Sequence, residues 1–382
     1  MKPIRYLVIS DVHLGNGRTK TRFIVQNLDE FFDHYRKDSR FAHIDAIFIA
    51  GDLFDKSLSL TSDDAYEILS WMGRLMRFCF NQSIALRILR GTLSHDREQA
   101  KLSEVMYDYF VKAGQPFDFK YVDTLCVEKN EKLNLNILYI PDEWNAKNEV
   151  TLQQAKDLLV AESLGQYDIA IMHGSFKYQL PYAPASIPMH DEESYLSIVK
   201  YNISVGHVHE FSQYGRIVAE GSFDCLNHGS EGAKGGVLFT IDDQGSRFEF
   251  IENKRSKIYK TIELKHKDVD KSMAHISKIV FKYPADSYIR IKTTKDHPLY
   301  KAFTELQNQF PSYNFEKLTK EDEADSYELI AQTVNLGDGY VPIHIHRDNI
   351  VQLLKETILN KHVLTETQQR LLNSTLEQTN AQ

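Results

Sequence analysis

Short apolar runs alternate with stretches of helical spacing from the first residues onward. The runs at 4–9 (IRYLVI), 46–51 (AIFIAG) and 85–91 (ALRILRG) have the length and branched-aliphatic content of buried strands. Between them, Phe23, Leu28, Phe31, Phe32 and Tyr35, and then Ala65, Ile68, Leu69, Met72, Leu75 and Met76, recur on single helical faces. Further runs at 135–141, 168–174 and 201–207, followed by IVAEGS and GGVLFTID, predict more strands. Strands alternating with helices predict an α/β sandwich.

From about residue 257 the pattern changes to IYKTIEL, a helix-like stretch, SYIRIKTT, a second helix around LYKAFTELQNQF, and YNFEKLT. That order predicts a small βαβαβ unit, with the acidic run TKEDEADSYE as its exit loop. Beyond it Ile350, Leu353, Leu354, Ile358, Leu359, Leu371 and Leu372 lie at helical intervals, predicting helices that either pack on their own domain or bind a partner. The divisions that follow are residues 1–255, 256–338 and 339–382.

Composition narrows the class. The 382 residues are 42% hydrophobic and 26% charged, as in a soluble globular chain with room for more than one domain. No apolar run approaches the roughly 18 residues of a membrane span, and Asp11 and His13 follow the first apolar run too closely for a secretory signal. A cytoplasmic protein without membrane attachment is expected. Cys79, Cys126 and Cys225 have no metal-type spacing and read as small buried hydrophobes with free thiols. A net charge of −8 excludes a basic nucleic-acid coat and confines any DNA contact to a local surface.

Five polar clusters each follow a predicted strand: SDVHLG with Asp11 and His13, AGDLFD with Asp52 and Asp55, GTLSHD with Ser94, His95 and Asp96, MHGS with His173, and VGHVHE with His207 and His209. In extended backbone, residues two apart face one side, so Asp11 with His13, and His207 with His209, predict paired ligands. Carboxylate and imidazole without thiolate suit Mn or Fe, and zinc less exclusively. Asp52 is placed to bridge two such ions about 3.5–4 Å apart, flanking one phosphate. His95 is the candidate proton donor for the departing oxygen. Asp55 either caps the next helix or orients His95.

Other features read otherwise. His344 and His346 share the spacing of two but lack an acidic cluster, and predict a solvated strand face. The segment GSEGAKGG lacks a phosphate-loop pattern and reads as a loop or hairpin turn, so no ATP site is implied. The apolar helix around Trp71, Met72 and Leu75 to Phe80 predicts core in preference to a dimer surface.

Taken in order, the clusters resemble the calcineurin-like metallophosphoesterase superfamily, whose pattern runs DxH, GD, GNHD, H, GHxH, over roughly residues 4–250. The resemblance implies a metallophosphoesterase-type β-sandwich flanked by helices. It also implies that Asp11, His13, Asp52 and His209 bind one metal and Asp52, His173 and His207 the other. Mn2+ is the expected metal, with Mg2+, Fe2+ or Zn2+ as the other choices. His95 matches the family's proton-donating histidine. Ser94, adjacent to His95, stands where the family has Asn. As a weaker ligand it predicts a second ion held more loosely than the first, or ligated by Ser94 through water.

Within the superfamily the chain is most similar to the SbcD-type nucleases of the meiotic recombination eleven family, on the segments GDLFDKS and EGSFDCLNHGSEGAKGGVLFTID. That likeness implies a nuclease domain, a small DNA-recognition cap, C-terminal helices that grip an SMC-like coiled-coil ATPase, and a homodimer. The function implied is a metal-dependent DNA exonuclease and single-strand endonuclease in repair or recombination. The alternatives are an esterase of small phosphate esters or nucleotides and a DNA-tethering scaffold of weakened activity.

Overall fold

The structure, a computed structural model, describes residues 2–319 apart from 18, 38–42, 60, 97–98, 182–186 and 229–230. The predicted exit loop beyond Thr319, the C-terminal helices, and His344 and His346 lie outside the described residues.

Two six-stranded sheets stack face to face. The first has the order β12-β11-β1-β2-β3-β4, formed by β1 (Ile4–Ile9), β2 (Ala46–Ala50), β3 (Ala85–Leu89), β4 (Phe119–Val122), β11 (Gly235–Asp242) and β12 (Gly245–Glu252). The second has the order β5-β6-β7-β8-β10-β9, from β5 (Cys126–Asn130), β6 (Leu135–Ile140), β7 (Tyr167–His173), β8 (Val199–Gly206), β9 (Ser212–Tyr214) and β10 (Ile217–Ala219). In the first sheet β1 to β4 are parallel. In the second, β6, β7, β8 and β10 are parallel.

Alternation along the strands builds the layers. Tyr6, Val8, Phe48 and Ala50 of the first sheet meet Ile137, Tyr139, Ile169 and Ile171 of the second in the central core. The opposite-facing Leu7, Ile9, Ile47, Ile49 and Ile88 pack under α1 (Thr21–Lys37), α2 (Asp63–Gln82) and α3 (Leu102–Lys112). Leu138, Ile140, Ala170, Met172 and Val205 are covered by α4 (Asn148–Ala161) and α5 (Glu192–Ile198). The result is the α/β sandwich expected. Trp71, Met72, Leu75, Met76 and Cys79 of α2 are buried in this core, as the spacing predicts. Cys225 is also buried, Cys126 is half-buried, and none of the three is in a disulfide.

One strand breaks the apolar rule inside the sandwich. Arg87 points inward from β3 and makes bidentate contacts of 2.6 and 2.9 Å to Glu128 on β5, linking the two sheets. Glu128 also accepts from Tyr139 and Asn130, so the buried pair has its hydrogen bonds satisfied.

A third, parallel sheet of β13 (Tyr259–Glu263), β14 (Tyr288–Thr293) and β15 (Asn314–Thr319) carries α6 (Val269–Val280), α7 (Pro298–Lys301) and α8 (Phe303–Gln309) around its own core of Ile262, Ile276, Val280, Ile289, Ile291 and Leu306. Asp268 caps α6 by accepting from Lys271 N at 2.8 Å. Among the described residues no helix is long and apolar enough to cross a membrane.

Candidate active site

Parallel strands deliver their exit loops to one end of a sheet, and ligand sites form there. Asp11 and His13 follow β1, Asp52 and Asp55 follow β2, and Thr92, His95 and Asp96 follow β3. From the second sheet, Asp142 follows β6, His173 ends β7, and His207 and His209 follow β8. The first two loops are zipped together by Asp11 N to Gly51 O at 3.2 Å, His13 N to Asp52 O at 3.1 Å and Asp55 N to Leu14 O at 3.0 Å. The two sheets are joined at the site itself. His173 Nδ1 donates to Ala50 O at 2.7 Å, leaving Nε2 as its free electron pair, and His207 N donates to the Asp11 carboxylate at 2.9 Å.

The backbone bends sharply here. Asp11 (φ 50°), His13 (φ 52°), Asp52 (φ 47°) and His207 (φ 102°) all sit in the left-handed region, four of the nine non-glycine residues that do so among the described residues. Such conformations cost of order 1–3 kcal/mol each and cluster at functional sites. Asp11 and His13 therefore do not converge by extended alternation, as their spacing predicts. They converge because both turn through this region.

Among the described residues the possible ligands gather in three groups, of which His13, Asp55 and His95 form one and the other two meet at Asp52. In the first of these two, His13 Nε2 and His209 Nε2 face each other at 3.1 Å, and Asp11 Oδ1 lies 3.5 Å from His209 Nε2 and 3.9 Å from His13 Nε2. In the second, Asp52, His173 and His207 converge, with Asp52 Oδ1 3.4 Å from His173 Nε2. The other oxygen of Asp52, Oδ2, is 3.8 Å from His13 Nε2, so one carboxylate spans both groups. Asp11, Asp52, His13 and His173 are buried, while His207 and His209 stand at the mouth.

Charge supports the same reading. Burial alone would lower the His13 pKa, but Asp55, Asp11 and Asp52 reverse this and raise it; Asp52, Asp11 and Asp142 do the same for the more deeply buried His173. Against the opposing effect of burial, the histidines hold Asp11 and Asp52 below the usual carboxylate range and Asp142 down to about 2. Carboxylates and imidazoles packed this closely, without thiolate, form a donor set suited to divalent ions of the manganese, iron or zinc type. Ion binding must displace the histidine protons, so it is expected to tighten as pH rises.

Of the two parts expected of Asp55, the structure excludes the helix cap, and it couples Asp55 to His95 through the backbone. The ring of His95 lies edge-on to His13 at 4.8 Å between centroids, and its Nδ1 donates to the backbone carbonyl of Asp55 at 2.7 Å. The Asp55 carboxylate points elsewhere, 3.2 Å from His13 Nδ1 and 3.0 Å from Asn16 Nδ2. It does not cap α2, whose cap is Ser62. Asp55 thus steers a ligand histidine with its side chain and His95 with its backbone.

Ser94 is corrected outright. It is exposed, and the hydroxyl that enters the second group belongs to Thr92. Thr92 Oγ1 lies 3.3 Å from Asp52 Oδ2, 2.9 Å from Asp142 Oδ2, 3.5 Å from His173 Nε2 and 3.4 Å from His207 Nδ1. The turn closed by His95 N and Asp96 N on Thr92 O carries Leu93 and Ser94 out to solvent. Asp96 then staples the site loops, accepting from Phe54 N at 2.9 Å and Gly91 N at 2.7 Å.

Three further residues belong to the site without any motif. Asp142 faces His207; Lys234, inside the glycine-rich segment, donates to His209 O at 2.5 Å; Glu220 is fully buried behind Asp11 and His173. Burial pushes the Glu220 pKa up to about 8. A carboxyl whose folded pKa exceeds its unfolded one favours folding most below about pH 4.5 and loses that contribution as pH rises toward about 8. Glu220→Gln is expected to stabilise the metal-free protein at pH 8 by about 1–3 kcal/mol and to leave it nearly unchanged near pH 5, as read by urea melts in chelator.

The motif glycines are where backbone must approach a ligand. A Cβ on Gly91 would lie 2.1 Å from Asp52 N and 2.3 Å from its Oδ1; one on Gly51 (φ +87°) would lie 2.2 Å from His173 Nδ1. Gly91→Ala is expected to cost about 1–3 kcal/mol in a denaturant melt and to weaken Mn2+ binding in calorimetry, because Asp52 has to move.

The profile of the calcineurin-like phosphoesterase family matches residues 4–211, more than half of the chain and every cluster through His209. The chain belongs to this family. No curated protein matches it. A solved crystal structure aligns with 65% of this phosphoesterase and 99% of its own chain at 10% identity and a TM-score of 0.39. Family membership and the His/Asp groups together make this a metal-dependent phosphoester hydrolase.

Proposed function

We propose that this phosphoesterase is a two-metal phosphodiesterase acting on DNA, the nuclease subunit of a repair or recombination complex that includes a coiled-coil ATPase and a second copy of itself. When bound, two divalent ions supply a water acidic enough to attack at neutral pH and neutralise charge on the phosphate. The chain's own part is to hold and aim. Asp52 joins the two ligand groups, His173 presents a nitrogen whose direction is set by a backbone contact, the His207 ring is set against Asp142 and Thr92, and His95 delivers a proton to the departing oxygen. With Nδ1 spent on the Asp55 carbonyl, Nε2 of His95 is the atom that makes this transfer.

The observation that carries the DNA reading is the seating of the small α/β unit. The segment following β10 leaves the site and clamps that unit: Glu231 accepts from Thr261 N at 2.7 Å and pairs with Lys260 at 2.9 Å. Asp224 accepts from Ser256 Oγ at 2.8 Å and Lys257 N at 3.2 Å. This is the segment whose sequence resembles the SbcD-type nucleases. A unit tied to the site by the site's own loop gives a long substrate a second surface to rest on, which a small ester does not need.

End-labelled linear DNA and a chromogenic phosphodiester, each with Mn2+, test the reading. Degradation of DNA to short products is expected. Cleavage of the small ester with intact DNA, in the presence and absence of an ATPase partner, would transfer the assignment to small substrates.

A further inference from the structure

We propose that Asp142 is a direct ligand of the second metal, in the place that an Asn side chain fills in the family pattern. The inference rests on the two-metal reading above. Thr92 follows the motif glycine as that Asn does, but its hydroxyl is short, neutral and a weak donor to a cation. Asp142 reaches the same point from the other sheet.

The geometry sets Asp142 at the edge of the group formed by Asp52, His173 and His207. Asp142 Oδ2 lies 3.3 Å from His207 Nδ1 and 2.9 Å from Thr92 Oγ1. That hydroxyl is in turn within 3.5 Å of Asp52 Oδ2, His173 Nε2 and His207 Nδ1, so Asp142 is joined to the Asp52, His173 and His207 group directly at His207 and through Thr92. Neighbouring donors held about 2.1 Å from one ion at right angles stand about 3 Å apart. The spacing of Asp142 from its neighbours is of that size.

The carboxylate is also aimed. Oδ1 is occupied by the backbone N–H of Glu143 at 2.9 Å, and Glu143 is held at φ 48°, which fixes the direction of Oδ2. Asp142 is 8% exposed, and its side-chain ion contact is with His207. A buried carboxylate that keeps its charge beside a histidine of the group is a strong donor to a divalent ion. The looser second ion expected from the missing Asn is thereby replaced: a charged ligand has taken over from a neutral one.

Mn2+ binding, followed by calorimetry and by electron paramagnetic resonance of coupled ions, separates this from an orienting role. In Asp142→Ala the second ion is expected to bind about 100-fold or more weakly, the first unchanged, with loss of the coupled spectrum; outer partners of a ligand account for roughly 10–100-fold. Asp142→Asn, which restores a neutral carbonyl, is expected to recover part of the loss. Melting of the metal-free variants shows that they fold. A loss below about 100-fold, or equal weakening of both ions, overturns the inference. Fewer than two ions in the unaltered protein removes the two-metal reading itself, and the inference with it.

Discussion

Asp52→Asn is expected to lower phosphoester hydrolysis by about 10³-fold. The substitution keeps the shape of the side chain and can still accept from Thr92 N, which donates to Oδ1 at 2.6 Å. It removes the one charge shared by the two ligand groups. A metal centre contributes several kcal/mol of transition-state charge stabilisation, and about 4 kcal/mol corresponds to about three orders of magnitude in rate. Initial rates on DNA beside Mn2+ titrations of the same preparation check this: rate and second-ion affinity should fall together. His173 supplies an internal control, since its raised pKa depends chiefly on Asp52 once burial is overcome, and should drop in the variant.

His95→Ala is expected to behave differently. Its ring is held by a backbone carbonyl and, though gathered with His13 and Asp55, lies outside the two ligand groups that meet at Asp52. Both ions should therefore bind with unchanged affinity. Loss of a general acid costs typically 10²–10⁴-fold. The loss should be large for DNA, whose departing alkoxide needs a proton, and much smaller for a chromogenic ester with an acidic leaving group. Equal losses on both substrates would instead assign His95 to binding the phosphate.

The five motif clusters were legible in the sequence because each ligand directly follows a strand, and strands of this apolar content are readable. The sandwich follows from the same runs, and β11 matches the predicted GGVLFTID throughout. Several strands were not legible. β9 is three residues long, and β12 (GSRFEFIE) is an edge strand with alternate exposed charges, so neither carries an apolar run. Nothing in the apolar pattern predicts β4 and β5, short elements with half-buried residues.

Ser94 was misread for a related reason. Adjacency to His95 suggested the ligand position, but Leu93 and Ser94 bulge to solvent, and it is Thr92, next to Gly91, whose hydroxyl enters the second group. Asp142, Glu220 and Lys234 have no spacing partner, and their roles arise from burial and from packing between sheets. The one available signal, an acid just past a buried strand, exists for Asp142, in the run YIPDE, and for Glu220, in the run IVAEGS.

The central claim is a pair of metal ions joined by Asp52, and anomalous scattering from crystals grown with Mn2+ tests it most directly. Two peaks about 3.5–4 Å apart are expected, with Asp52 between them, Asp11, His13 and His209 around one, and His173 and His207 around the other. A single peak, or two peaks that Asp52 does not touch, would contradict it.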